Sequence, residues 1–180
     1  MTKTLEILDT LVSFETTNTK SNLELIDFVE KFLVQFEFRV TRLHAPCGTK
    51  AGIYAEIGPA IEGGLLLSAH SDVVTVEGQK WTYPPFKLTT VGDRYYGRGT
   101  TDMKGFLASM LALTSRINDK KLSKPLALLI SYDEEIGCVG LQQMKAQLAP
   151  LLRAPQLCIV GEPTEMKIAL GHKGKTAYRA

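Results

Sequence analysis

Acidic residues and a histidine follow three apolar runs of the sequence, at the points where those runs end. His70 and Asp72 follow the first run, a cluster of three acids at 133–135 follows the second, and Glu162 follows the third. In open α/β sheets, ligands bind outside the carboxyl ends of the strands. Three separate strand ends that all carry such residues are harder to obtain by chance than one. We therefore predict that they share one site.

The predicted site offers one imidazole and several carboxylates. This donor set suits Zn²⁺, Co²⁺ or Mn²⁺, and it fits neither a soft thiolate site nor an all-oxygen calcium cage. A carboxylate shared by two ions could hold them about 3.5–4 Å apart, the spacing of two-metal hydrolases. The chain has no GxSxG, P-loop or GxGxxG motif. The sequence therefore gives no sign of a serine nucleophile elbow, a phosphate-binding loop or a dinucleotide-binding turn.

His70 and Asp72 are two residues apart, so in an extended segment their side chains point to the same side. Asp72 could then support the ring nitrogen of His70 that does not bind a metal. Alternatively, it could act on a different part of the site. Taken alone, a histidine at a strand end is more often an ordinary hydrogen-bonded side chain than a metal ligand.

The other acids also have ordinary interpretations when each is taken alone. Asp102 follows the turn GRGTT and precedes a helical segment, where an N-cap is expected. Asp133, Glu134 and Glu135 would raise one another's pKa values if they were buried without a cation. They suit equally well a solvated turn at a helix start, where the dipole favours negative charge. Glu162 suits an exposed turn, so only the combination favours a metal site.

Helical and strand periodicities alternate along the chain. Helices are predicted at 3–15, from a capping box at Ser21 and Glu24 to about Phe36, at 104–117 and at 141–148; strands are predicted at 39–45, 52–58, 65–70, 125–132, 157–161 and 167–180, with a hairpin formed by FKLTT and RYYGR. The runs at 125–132 and 157–161 are mostly apolar, as in strands buried on both faces. The pattern predicts an α/β fold with a largely parallel or mixed sheet flanked by helices.

The composition excludes several classes of protein. The 21 basic residues balance 19 acidic ones, so no nucleic-acid partner is expected. Cys47, Cys138 and Cys158 have no CxxC spacing and are predicted to be reduced thiols. No stretch approaches the roughly 20 apolar residues of a membrane span. We expect a soluble, cytoplasmic protein of one domain.

Six segments, taken together, resemble a known family. AHSDVV, WTYPPFKL, RYYGRGTTDMKGF, SYDEEIGCVG, VGEPT and GHKG occur in the order and approximate spacing of the M20 family of metallopeptidases and amidohydrolases. The resemblance implies a three-layer, zinc-exopeptidase-like sandwich. Within the family, GTTDMKGF, GEPT and HKG are more similar to acetylornithine deacetylases than to succinyl-diaminopimelate desuccinylases, aminoacylases or glutamate-releasing carboxypeptidases.

The resemblance implies two divalent metal ions, zinc or cobalt, and a ligand set for them. His70 and Glu162 are implied to bind the first ion, Asp102 to bridge both ions, and Glu135 to bind the second. The family also places a non-proline cis peptide directly after the bridging acid, here Asp102–Met103.

The resemblance also implies the reaction. Glu134 is implied to be the general base that takes a proton from the attacking water and passes it to the leaving amine, and Asp72 to orient His70. The expected substrate is N2-acetyl-L-ornithine, which is cleaved to acetate and L-ornithine in arginine biosynthesis. The alternative is another N-acyl amino acid, such as the substrate of the desuccinylases.

The sequence departs from the family in its length. Family members are about twice as long, so residues 1–170 are expected to be an incomplete catalytic domain and residues 171–180 the start of a second domain through which full-length members form homodimers. A late histidine that completes the second metal site has no counterpart, because His172 matches the HKG motif instead. We expect the first ion to bind better than the second, and little activity from this chain alone.

A rival interpretation is a non-catalytic fragment that only binds a metal or a partner. The presence of Glu134 beside four candidate ligands favours descent from a working enzyme, because a degenerate protein has little reason to keep the base.

Overall fold

The computed structural model describes residues 2–117, 122–171 and 173–174. Its elements are α1 (Lys3–Ser13), α2 (Leu23–Gln35), β1 (Arg39–His44), β2 (Ala51–Ile57), β3 (Leu65–His70), β4 (Thr89–Val91), β5 (Arg94–Tyr96), α3 (Lys104–Ile117), β6 (Leu126–Ser131), α4 (Val139–Leu148) and β7 (Leu157–Val160). Among the described residues, no helix is long and apolar enough to cross a membrane.

Five strands form one mixed sheet in the order β1-β2-β6-β3-β7, and β4 and β5 form a separate hairpin. β1, β2 and β6 pair antiparallel in turn, whereas β6, β3 and β7 pair in parallel. The prediction of an α/β fold with a mixed sheet is thereby confirmed, as is the predicted hairpin.

Helices cover both faces of the sheet, because side chains alternate between the faces along each strand. In β6, Leu126, Leu128 and Ile130 point into the larger core beneath α1, α2 and α3. Ala127 and Leu129 point into a smaller core that includes residues of α4. The molecule therefore has the three layers expected of the sandwich.

The apolar spacing of the first two helices positions them over this larger core. In α1 the buried residues are Ile7, Leu8, Leu11 and Val12, one face of a helix. The predicted capping box at Ser21 and Glu24 is wrong. Asn22 occupies the N-cap position of α2, but its side chain is hydrogen-bonded to the backbone of Ala51 instead.

The prediction of a buried strand at 157–161 is wrong in its burial. β7 is the edge strand of the sheet, and all four of its residues are exposed. An apolar run of this length is compatible with a buried central strand or an exposed edge strand. Burial depends on whether other elements pack on the strand, which the run does not show.

The prediction of a final strand at 167–180 is also wrong for the residues described. Residues 167–171 form no strand, and Ile168 and Leu170 are 91% and 98% exposed. An extended segment becomes a strand only when another strand pairs with it, and within 2–117 and 122–171 none pairs with this segment. His172 and residues 175–180 lie outside the described residues.

The central strand β6 predicts a large and position-specific loss of stability. Leu128 is fully buried at the centre of the sheet, so Leu128→Ala should lower the free energy of unfolding by about 2–5 kcal/mol through lost contacts and a residual cavity. Leu113→Ala on the outer face of α3, where Leu113 is 37% exposed, should cost less than about 1 kcal/mol. Urea unfolding followed by circular dichroism measures both. Equal losses would contradict the burial described.

Candidate metal centre

The three parallel strands end at one edge of the sheet, with β3 between β6 and β7. His70 is the last residue of β3 and pairs in register with Ser131 of β6. Ser68 pairs with Val160, the last residue of β7. The segments that follow β6 and β7 therefore approach His70 from its two sides, as the strand-end argument predicts.

Three acids surround the Nε2 atom of His70. Asp102 Oδ1 lies 3.0 Å from it, while Glu134 Oε2 and Glu162 Oε1 each lie 3.9 Å away. One ligand atom from each of His70, Asp102 and Glu162 lies within 4.8 Å of the other two. These residues come from three parts of the sequence, and the fold brings them to one point.

The opposite nitrogen of the ring fixes the orientation of His70. Nδ1 lies 2.9 Å from the backbone carbonyl oxygen of Asp72 and 3.4 Å from Asp72 Oδ1. With a proton on Nδ1 donated to these oxygens, Nε2 faces the acids and is free to bind a metal. Both side chains are almost fully buried, so the ring has little freedom to turn.

The Asp72 carboxylate has a second task that the sequence left open. Its Oδ1 and Oδ2 accept hydrogen bonds of 3.1 Å from the backbone N–H groups of Glu134 and Glu135, respectively. Asp72 therefore orients His70 and also ties the end of β3 to the turn after β6.

Asp102 lies in the turn that precedes α3, and the peptide bond Asp102–Met103 is cis, as the family resemblance implied. Met103 is fully buried, and its Sδ lies 3.2 Å from His70 N. The Asp102 carboxylate is hydrogen-bonded to His70, which places it at the site. This contact with His70 differs from that of an ordinary N-cap, whose side chain would accept a hydrogen bond from the first turn of α3.

Glu162 reaches the site because the residue before it is glycine. A Cβ on Gly161 would lie 2.0 Å from Cγ of Phe106 in α3, so any side chain would push the segment away from the helix. The Glu162 side chain keeps 39% of its surface exposed, and its charged end therefore borders both His70 and solvent.

Glu135 belongs to the same acidic cluster without joining the group of three ligand atoms. Burial raises the pKa of its carboxyl group, and the neighbouring charge of Asp102 raises that pKa further. Among the described residues, Asp102 and Glu135 do not form a second group of three metal-ligating side chains with any other residue.

The electrostatics of the site show an uncompensated excess of negative charge. Burial lowers the pKa of His70, but the hydrogen bond and charge of Asp72, together with Glu162 and Asp102, outweigh burial and raise that pKa to about 9. Burial and the charges of nearby acids raise the pKa of Glu162 despite the attraction of His70.

A divalent cation fits this arrangement. One imidazole nitrogen and two carboxylates are donor types that Zn²⁺ and similar divalent metals prefer. A bound cation would also neutralise the acids whose negative charge raises the pKa of His70. Because metal binding needs the neutral imidazole, it must release that proton.

Two buried lysines, Lys104 and Lys50, lie close to acids of this edge of the sheet, and the sequence pattern did not reveal them. Lys104 is fully buried, and its Nζ donates to the carbonyl oxygen of Phe14 at 2.7 Å. Burial lowers the pKa of Lys104 to about 7, against the opposing charge of Asp72. Lys50 is buried near the turn after β6. Nothing in the local sequence distinguishes these lysines from exposed ones.

Comparison with known proteins gives a family and several relatives. Residues 66–173 match the model of peptidase family M20/M25/M40. The acetylornithine deacetylase of Buchnera aphidicola subsp. Acyrthosiphon pisum (strain Tuc7) is 36% identical over 97% of this chain. That of Aliivibrio fischeri (strain MJ11) is 43% identical over 71% of this chain. The aligned regions cover 46% and 33% of these relatives, so the chain spans less than half of their length.

Solved structures share the fold. A metallo-carboxypeptidase of the M20 family from Sulfolobus solfataricus superposes with a TM-score of 0.77 at 25% identity, covering 89% of this chain and 37% of that one. Human carnosine dipeptidase 1 superposes with a TM-score of 0.74 at 21% identity, covering 87% and 38%. The second likeness concerns the fold alone.

The buried contact between His70 and Asp72 predicts a measurable titration. In the metal-free protein, the His70 ring should titrate with a pKa of about 9. In Asp72→Asn that pKa should fall towards the ordinary value of 6.5, because the largest favourable contribution is lost while burial remains. Nuclear magnetic resonance of the imidazole protons measures both proteins, with the exposed His44 as internal reference. An unchanged His70 titration in the variant would show that Asp72 does not hold the proton.

Proposed function

This chain belongs to peptidase family M20/M25/M40, and from that premise we propose that it is the metal-binding catalytic portion of an N-acyl-amino-acid amidohydrolase. The observation that carries the proposal is the convergence of His70, Asp102 and Glu162 within 4.8 Å. Glu134 lies 3.9 Å from the same ring nitrogen. A metal site with a further carboxylate beside it suits metal-assisted hydrolysis of an amide.

The proposed ligands of the first ion are His70, Asp102 and Glu162. Asp102 is also the proposed bridge to a second ion, for which Glu135 is the other ligand. When bound, a divalent ion such as zinc or cobalt lowers the pKa of water and polarises the carbonyl group of the amide. The structure supports unequal sites, since among the described residues only the first has three ligand atoms close together.

Glu134 is the proposed general base. Its side chain is 37% exposed, so it is accessible to water and substrate while its backbone is fixed by Asp72. It removes a proton from the water that attacks the acyl carbon, and it returns that proton to the leaving nitrogen when the C–N bond breaks. The products are then a carboxylic acid and a free amine.

The proposed substrate is N2-acetyl-L-ornithine. Support comes from the curated relatives, which are named acetylornithine deacetylase, and from the segments GTTDMKGF, GEPT and HKG. A peptidase activity is the second candidate, favoured by the likeness to the metallo-carboxypeptidase. We also propose that residues 1–170 form the catalytic unit and that residues 171–180 lead into a second domain.

Metal titration separates the proposed ligands from the proposed base. The chain should bind one Co²⁺ or Zn²⁺ ion tightly and a second weakly. Glu162→Gln should weaken the tight site by more than about tenfold, because it replaces a charged ligand with a neutral amide. Glu134→Gln, matched in size and charge change, should leave the affinity within about threefold. Calorimetry gives stoichiometry and affinity. Equal losses in the two variants would contradict the assignment, and absence of any tight site would overturn the metal centre.

Hydrolysis of N2-acetyl-L-ornithine, measured by release of the free amine, tests the reaction. We propose that turnover by this chain is low, because the second site is the weaker one. Whatever turnover remains should fall by a further factor of about 10²–10⁴ in Glu134→Gln. A dipeptide assayed in parallel tests the peptidase alternative. Two tight metal sites with full turnover would contradict the proposed inequality, and undiminished turnover by Glu134→Gln would exclude it as the base.

A further inference from the structure

Lys50 and Asp133 form an ion pair in which both side chains are nearly buried, with 9% and 12% of their surfaces exposed. In six other lysine or arginine ion pairs of the described residues, at least one side chain is 33% exposed or more. Burying two charges is costly unless each finds partners. A pair retained in such a position, beside a candidate active site, calls for a structural or functional explanation.

The lysine in this pair is anchored on both sides. Besides Asp133, the Nζ of Lys50 donates to the carbonyl oxygen of Asn18 at 2.6 Å. Asn18 belongs to the segment after α1. The same segment includes Phe14, whose carbonyl oxygen accepts a hydrogen bond from Lys104. Lys50 therefore connects the N-terminal segment to the turn after β6.

Asp133 is the first residue of the turn that presents Glu134 and Glu135. Its φ of +53° lies in the left-handed region, which aspartate tolerates better than most residues. The carbonyl oxygen of Asp133 accepts a hydrogen bond from Val139 N. The next two N–H groups donate to Asp72. The turn is thus held through its side chain by Lys50 and through its backbone by Asp72.

The charges around this turn explain why a cation is needed there. Asp72, Asp102 and Glu134 act on Glu135 as neighbouring negative charges, so repulsion acts to push the acids of the turn apart. Asp133 adds one more carboxylate to the turn, and Lys50 neutralises it. Without Lys50, the turn would gain by moving Asp133 to water.

We propose that Lys50 is a positioning residue that acts through Asp133 to hold Glu134 and Glu135 in place. The inference deepens the proposed function, because those two residues are its base and second-site ligand. Lys50 need not contact substrate or metal in this role.

Hydrogen exchange of the metal-free protein tests the positioning directly. In Lys50→Met, the Glu134 and Glu135 amides should exchange at least tenfold faster, while the Leu67 and Leu128 amides of the sheet should keep their rates. Lys50→Arg, which retains the charge, should restore exchange to within about threefold of the wild type. The milder Asp133→Asn keeps the size and the left-handed tolerance of the aspartate, and it should show the same local acceleration if Lys50→Met does not fold.

Arg153→Met is the matched control. Arg153 is paired with the buried Glu56 of β2, so its loss also removes a cation from a buried acid without touching the turn. It should leave the exchange of Glu134 and Glu135 unchanged. Equal acceleration at all amides in Lys50→Met, or no acceleration at Glu134 and Glu135 in either Lys50→Met or Asp133→Asn, would overturn the proposal.

Cobalt binding separates this inference from the proposed function. In a protein that binds Co²⁺, Lys50→Met should weaken the second ion at least tenfold and Arg153→Met should not; an equal affinity in Lys50→Met would overturn the proposal. If the wild type binds no Co²⁺, the metal hydrolase fails as an interpretation. The exchange experiment, performed without metal, would still decide whether Lys50 positions the turn.

Discussion

Repulsion among five carboxylates around one imidazole governs the carboxyl edge of this sheet. Asp72, Asp102, Glu134, Glu135 and Glu162 all act on His70 or on one another. Like charges at such distances raise one another's pKa values and disfavour the folded arrangement unless positive charge is supplied. Protonated His70 supplies part of that charge in the metal-free chain, and a divalent cation would supply more. The raised pKa of His70 and the proposed metal affinity are consequences of the same excess of negative charge.

The rest of the structure holds these acids against their repulsion. Asp72 does so by accepting hydrogen bonds from two backbone N–H groups of the turn after β6. Burial raises the pKa of Asp72, but the hydrogen bond and charge of His70, joined by these two N–H groups, outweigh burial and lower that pKa. Two buried lysines, Lys50 and Lys104, donate to carbonyl oxygens of the segment after α1. Thr16 in that segment donates to the carbonyl oxygen of Ser71 at 2.6 Å. The N-terminal segment therefore contributes to the site although it carries none of its proposed ligands.

The acids around Nε2 of His70 are partly exposed, whereas His70 and Asp72 are buried. His70 and Asp72 are almost inaccessible, whereas the side chains of Asp102, Glu134 and Glu162 are each more than a third exposed. Such a division suits a site that must exchange water, substrate and product yet keep its ligands in fixed positions.

The sequence by itself determined the elements and the ends of the strands that carry the chemistry. Apolar runs and their periodicity located β3 and β6, and His70 at the end of β3 lies 3.9 Å from Glu134 in the turn after β6. The spacing of apolar residues shows which face of a helix or strand can be buried. It does not show which other element packs against that face. For that reason the strand predicted to be buried, β7, is exposed, and residues 167–171 of the strand predicted at 167–180 form none.

Only the tertiary structure decided which polar residues support the site. Asn22 occupies the N-cap position of α2 in place of the expected Ser21, and its side chain binds the backbone of Ala51. Lys50 and Lys104 have ordinary local sequences, and their partners Asp133 and Phe14 lie 83 and 90 residues away along the chain. A buried polar side chain is defined by the groups that surround it, and chain folding alone brings those groups together. The sequence could therefore name the acids and the imidazole, whereas their distances, protonation and supports depended on the fold.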